Sequence, residues 1–83
     1  MPTPLEAFGH RVQTVRASTD LSQEALAERS GFDRTYISLL ERGRRNPSLL
    51  TVCRLAGGLG VEPTRLLVGV PAVSEDPASP DGP

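Results

Sequence analysis

Four consecutive residues, Ser30-Gly31-Phe32-Asp33, constrain this chain more than any other stretch. They separate a pair of short segments of apolar periodicity, and each residue marks a boundary. Glycine tolerates the left-handed backbone that ends a helix. Phe32 and Asp33 then repeat a start signal, with Asp33 as N-cap and Phe32 with Ile37 as a hydrophobic staple. A turn this tight forces the second helix to cross the first steeply and to project from the body.

The flanking segments read the same way. Leu5, Phe8, Val12 and Val15 line one face of a helix over residues 4–17. Ser22 caps a second helix that runs to Ser30, and Leu21 and Leu26 staple its start. The third helix covers residues 34–42 and stops at Gly43, since Arg44-Arg45-Asn46-Pro47 cannot continue it. Ser48 caps a fourth, whose stripe is Leu49, Val52, Leu55, Ala56 and Leu59. Gly57 and Gly58 each weaken that helix by about 1 kcal/mol relative to alanine and leave its last turn open to fraying or to close packing. Pro63 suits the first turn of a short fifth helix ending near Val68, where Leu66 and Leu67 supply the buried side. With no alternating strand pattern, the expected fold is all-α, five helices within residues 4–69.

At 83 residues the chain permits one small domain, because a chain this short buries only about 60% of the surface its unfolded form exposes. A single cysteine, Cys53, and a single histidine, His10, supply neither disulfide nor metal site, so no cofactor is expected. Cys53 reads as a small core residue in a reducing compartment. No apolar run approaches the roughly 20 residues that span a bilayer, and the N-terminus lacks the regions of a secretory signal. A cytoplasmic location with no membrane partner is therefore expected. Residues 1–70 form the domain, while 71–83, PAVSEDPASPDGP, are expected to be a disordered acidic tail, too poor in apolar area to offset the entropy of ordering.

The net charge of −1 conceals an asymmetry. Residues 1–70 hold all nine arginines against seven acids, and residues 34–45 alone hold four arginines against Glu41. A local basic patch of this kind suits a nucleic acid.

On the third helix Ile37 and Leu40 point to the core, leaving Arg34, Thr35, Ser38 and Leu39 on the other side. Arg34 and Thr35 lie in the first turn, which in a recognition helix reaches base edges, and arginine can donate two hydrogen bonds to guanine. Alternatively, Arg34 is a solvated surface charge. Tyr36 reaches a phosphate or packs at the domain edge, and Leu39 meets a thymine methyl or is an incidental exposed apolar residue. Arg44, Arg45 and Asn46 follow the helix where side chains clamp a sugar-phosphate backbone, unless they are a plain basic loop. Gln23 opens the second helix beside free amides, a place to hold a phosphate, or else is a helix-surface residue.

The stretch SQEALAERSGFDRTYISLLERGRRNPSLLTVCRLAGGLGVEPTRLL resembles the lambda-repressor-like, or XRE, family of helix-turn-helix regulators. The family's LSQxxLA opening falls on residues 21–27, its IxxxERGxRxPS segment on 37–48 and its LAxxLGV on 55–61. DRTYIS and ERGRRN are also similar to the controller proteins of restriction-modification systems, small homodimers that regulate their own promoter and the endonuclease gene. The resemblance implies DNA contacts from Gln23, Arg34, Thr35, Tyr36, Ser38, Arg44, Arg45 and Asn46, and a structural ion pair between Arg16 and Glu41. Leu39, where relatives often carry glycine or a polar residue, and the pair Gly57-Gly58 depart from the pattern.

One recognition helix reads only a few base pairs, so such proteins pair two helices about 34 Å apart on double-stranded DNA. A twofold homodimer is expected, with Leu50, Val61, Leu66, Leu67 and Val70 as its contact surface. No catalytic set, Gly-rich phosphate loop or metal spacing occurs, which argues against an enzyme. The competing class is an interaction protein, such as an antitoxin that binds a protein partner through the tail or the fifth helix.

Overall fold

The computed structural model describes residues 2–74, which fold into four α-helices and one 3-10 segment, with no strand among the described residues. Helix α1 is Pro4–Ser18, α2 is Gln23–Ser30, α3 is Arg34–Glu41 and α4 is Leu49–Leu59. The last element, Pro63–Leu67, is a 3-10 helix, so the expected fifth α-helix is corrected. A proline start, only five residues and extended backbone at Val68 leave no room for i→i+4 bonding to become established.

Side-chain caps start three of the helices. Thr3 and Glu6 form a capping box on α1, each side chain paired with the other's amide at 3.1 and 2.9 Å. Ser22 accepts the Ala25 amide at 3.0 Å, and Ser48 accepts that of Thr51 at 3.1 Å. Asp33 occupies the N-cap of α3 with extended backbone, but its side chain accepts no capping bond. At the other end of α2, Gly31 has φ 78, the left-handed conformation that costs glycine least.

The core draws on every element: Phe8, Val12 and Val15 from α1, Leu26 and Ala27 from α2, Ile37 and Leu40 from α3, Val52, Leu55, Ala56 and Leu59 from α4. Leu66 closes it from the 3-10 segment. Burial of each large aliphatic side chain contributes about 1.5 to 3 kcal/mol before the entropy of ordering is set against it. Leu66, fully buried, is thereby removed from the expected dimer surface. At roughly three residues per turn the segment points Leu66 inward and leaves Leu67 outside.

Two further residues depart from expectation in α4. Cys53 is exposed, and Leu49 is 75% exposed. Val52, Leu55, Ala56 and Leu59 set the buried side, and Cys53 stands about 100° round the helix from Val52. Leu49 belongs to the first turn, beyond the reach of neighbouring elements. The glycine pair divides as well: a Cβ on Gly58 would meet Leu26 at 3.2 Å and Ser30 at 3.3 Å, whereas one on Gly57 would meet nothing within 4 Å. Gly58 lets α4 approach α2 closely, and Gly57 faces open space.

A buried glycine in α1 sets how closely α1 and α3 pack. A Cβ on Gly9 would collide with the carbonyl oxygens of Leu40 and Glu41. Residues 71–74 are exposed and without regular structure, and the rest of the expected tail lies outside the described residues.

Candidate nucleic-acid interface

Helix α3 is the most strongly two-sided element. Ile37, Leu40 and Glu41 are buried, Arg34 and Thr35 are exposed, and Tyr36, Ser38 and Leu39 are half-buried. Arg44, Arg45 and Asn46, just beyond the helix, are exposed. The open side of α3 is thus followed in the chain by an exposed basic loop.

Glu41, the acid within this basic stretch, turns away from that surface. Its Oε2 accepts Arg16 Nε at 2.7 Å, and its Oε1 accepts Arg16 Nη2 at 3.0 Å and Gln23 Nε2 at 2.9 Å. Arg16 also donates Nη1 to the Leu21 carbonyl at 2.9 Å. The hydrogen bond that Arg16 donates to Glu41 raises the Arg16 pKa above its ordinary value; burial opposes this and the carboxylate's charge adds to it. A buried charge pair is tolerable only when its remaining donors and acceptors are satisfied, and no described buried side-chain nitrogen or oxygen lacks a partner.

The electrostatic consequence is local. With Glu41 neutralised inside by Arg16, the only ion pair among the described residues, Arg34, Arg42, Arg44 and Arg45 face solvent without a carboxylate partner. Glu41 apart, the nearest acid in sequence is the exposed Asp33. Cations held at fixed spacing on an open face suit a polyanion.

Several expected residues acquire definite surroundings. Gln23 donates one side-chain N–H to Glu41, so its second side-chain N–H, its carbonyl oxygen and the backbone amides at the start of α2 are what this position still offers. Tyr36 packs its ring against the core and against Phe32, with centroids 5.0 Å apart and planes tilted by 44°. The Arg45 guanidinium lies 5.8 Å from the centre of the same tyrosine ring. Of the expected dimer residues, Leu50 is 67% and Leu67 46% exposed, while Val61 and Val70 are half-buried against the core.

Sequence patterning missed Arg54. Its Nε and Nη2 donate to the carbonyls of Ser30 and Gly31, each at 3.2 Å, and its guanidinium lies 4.5 Å from the Phe32 ring centre. A Cβ on Gly31 would strike the Arg54 guanidinium, so the glycine also makes room for this contact. Nothing in local periodicity announces a bond between residues 23 positions apart.

A helix-turn-helix family model matches residues 12–66. The control protein C.BamHI of Bacillus amyloliquefaciens is 46% identical over 61 residues, 72% of this chain and 75% of that protein. An uncharacterized HTH-type transcriptional regulator, y4dJ, of Sinorhizobium fredii is 44% identical over 59 residues, 71% of this chain and 77% of its own length. Among solved structures, the restriction-modification controller protein C.AhdI of Aeromonas hydrophila superposes with a TM-score of 0.73 at 47% identity, covering 75% of this chain and 94% of that one.

Proposed function

Because the chain belongs to the helix-turn-helix family of DNA-binding transcriptional regulators, we propose that it reads a specific operator with α3 lying in the major groove. In this reading α2 and α3 are the helix-turn-helix pair, and residues 1–70 act as one DNA-binding unit to which 71–83 are appended. The observation that carries it is the open side of α3, where Arg34 and Thr35 stand exposed while the adjoining acid, Glu41, is buried in a pair with Arg16.

The roles divide by chemistry. Arg34 and Thr35 reach base edges, with Ser38 and Leu39 beside them on the same side. Arg44, Arg45 and Asn46 hold phosphates of the sugar-phosphate backbone, which position the protein without reading sequence. The free amides at the start of α2 offer Gln23 the same kind of contact. Two copies are required for half-sites about 34 Å apart, and the exposed apolar Leu50 and Leu67 are the portion of the expected contact surface still available to a second copy. The similarity to C.BamHI and C.AhdI supports a narrower role, control of the promoters of restriction-modification genes, its own among them.

Selection of bound sequences from a random duplex pool, followed by a protection footprint, tests this reading. It predicts two related half-sites with major-groove protection about one helical turn apart. Affinity should fall steeply with salt, and Arg44→Ala should reduce the log–log salt slope by about 1. Recovery of no preferred sequence, together with stable co-purification of a different protein, would instead favour an interaction module.

A further inference from the structure

Arg54 lies on the exposed side of α4, outside the apolar stripe, and the roles assigned above leave it without one. The two carbonyls that it binds belong to the last residue of α2 and to its C-cap, where intrahelical donors have run out. A cation there also meets the negative end of the helix dipole. Capping accounts for the hydrogen bonds, but not for the guanidinium stacked on Phe32.

That stack does not end at Phe32. Its ring lies 5.0 Å from Tyr36, and Arg45 lies 5.8 Å from the other neighbour in the series, the tyrosine ring itself. Cation, aromatic, aromatic and cation thus run in sequence from α4, through the turn and the first turns of α3, to the basic loop. Each such contact is weak where solvent still reaches it, too little to hold the fold but enough to select one arrangement of side chains.

Building on the DNA reading above, we propose that Arg54 is a positioning residue for recognition. By fixing the turn carbonyls and Phe32 directly ahead of α3, it holds the first turn of that helix, which carries Arg34, Thr35 and Tyr36, in the arrangement that meets base edges. Base contacts depend on accurate placement, whereas phosphate contacts carry no sequence information. Loss of Arg54 therefore weakens discrimination more than general attraction. Lysine keeps the charge at the helix end but lacks the planar fork that binds two carbonyls while lying flat on a ring.

Tyr36 is the only tyrosine and the chain has no tryptophan, so the near-UV circular dichroism band of tyrosine reports this one ring. The band is measured for Arg54→Lys and Arg54→Ala well below their melting midpoints, with affinity for the operator selected by the native protein and for random duplex at one salt concentration. Both variants should keep the far-UV helical signal and lose most of the tyrosine band. Operator preference should fall about tenfold, and random-duplex affinity should change by no more than about twofold. Lysine should recover the melting midpoint but not the preference. An unchanged tyrosine band with unchanged preference in Arg54→Ala overturns the proposal, as does full recovery of both by lysine, the result that helix-end capping alone would give. Should the native protein select no operator, the DNA reading fails separately, and the tyrosine band alone decides whether Arg54 orders Tyr36.

Discussion

The two ends of α3 differ in how their polar groups are partnered. At the C-terminal end Glu41 is buried, bonded to Arg16 and Gln23, and its carbonyl lies against Gly9 of α1. At the N-terminal end Arg34 and Thr35 are exposed, and Asp33 makes no capping bond. One end is anchored by side-chain bonds, while the other carries exposed side chains that the proposed reading gives to DNA. In that reading eight residues serve both as scaffold and as probe, and the two duties should separate under mutation.

The largest effect should fall at the anchored end. Glu41→Ala strips the partner from a largely buried Arg16 and should lower the unfolding free energy by about 3 to 5 kcal/mol, read by urea denaturation. A small domain has only about 5 to 15 kcal/mol in all, so a loss below about 1 kcal/mol would show that the ion pair is not what anchors α3. Gly9→Ala strikes the same end from the opposite side by driving a methyl group into the Leu40 and Glu41 carbonyls, for a loss of about 1 to 3 kcal/mol.

The open end should behave conversely. Arg34→Ala should leave stability within about 0.5 kcal/mol and cost about 1 to 3 kcal/mol of discrimination between the preferred operator and its single-base variants. Lost stability with unchanged discrimination would erase the contrast between the ends. The smallest test applies the same distinction to α4. Gly57→Ala, facing open space, should add about 0.5 to 1 kcal/mol of stability, while Gly58→Ala, pressed on Leu26 and Ser30, should add nothing or subtract. Equal gains at both positions would show that α4 yields where it meets α2.

These outcomes bear on what the sequence could disclose. Helix starts are legible because their determinants are local: Ser22 and Ser48 lie three residues from the amides they cap, and Gly31 adopts its left-handed backbone in place. The exposed side of α3 follows from the spacing of Ile37 and Leu40. Contacts between distant residues are not legible by periodicity. The Gln23–Glu41 bond joins residues 18 apart, and the Arg54 bonds to Ser30 and Gly31 span 24 and 23. The Arg16–Glu41 pair, 25 apart, is accessible only through family resemblance. Cys53 and Leu49 escape prediction for a different reason: an apolar stripe does not say how far neighbouring elements extend to cover it. Leu66 and Leu67 are adjacent apolar residues of one short segment, and apolarity alone does not say that the tighter 3-10 winding sends Leu66 into the core and leaves Leu67 outside.

The loop after α3 is fastened at both ends. A Cβ on Gly43, at φ 73, would strike Glu6 of α1, so the chain passes close to α1 there, and Ser48 starts α4 through its bond to Thr51. Arg44, Arg45 and Asn46 lie between these two pins, so in the proposed reading the loop works as a gauge whose length is a number of residues. One inserted residue would put grip and readout out of step even with every side chain intact. A lineage acquiring a new target should therefore change the lettering of α3 and preserve the residue count of the loop.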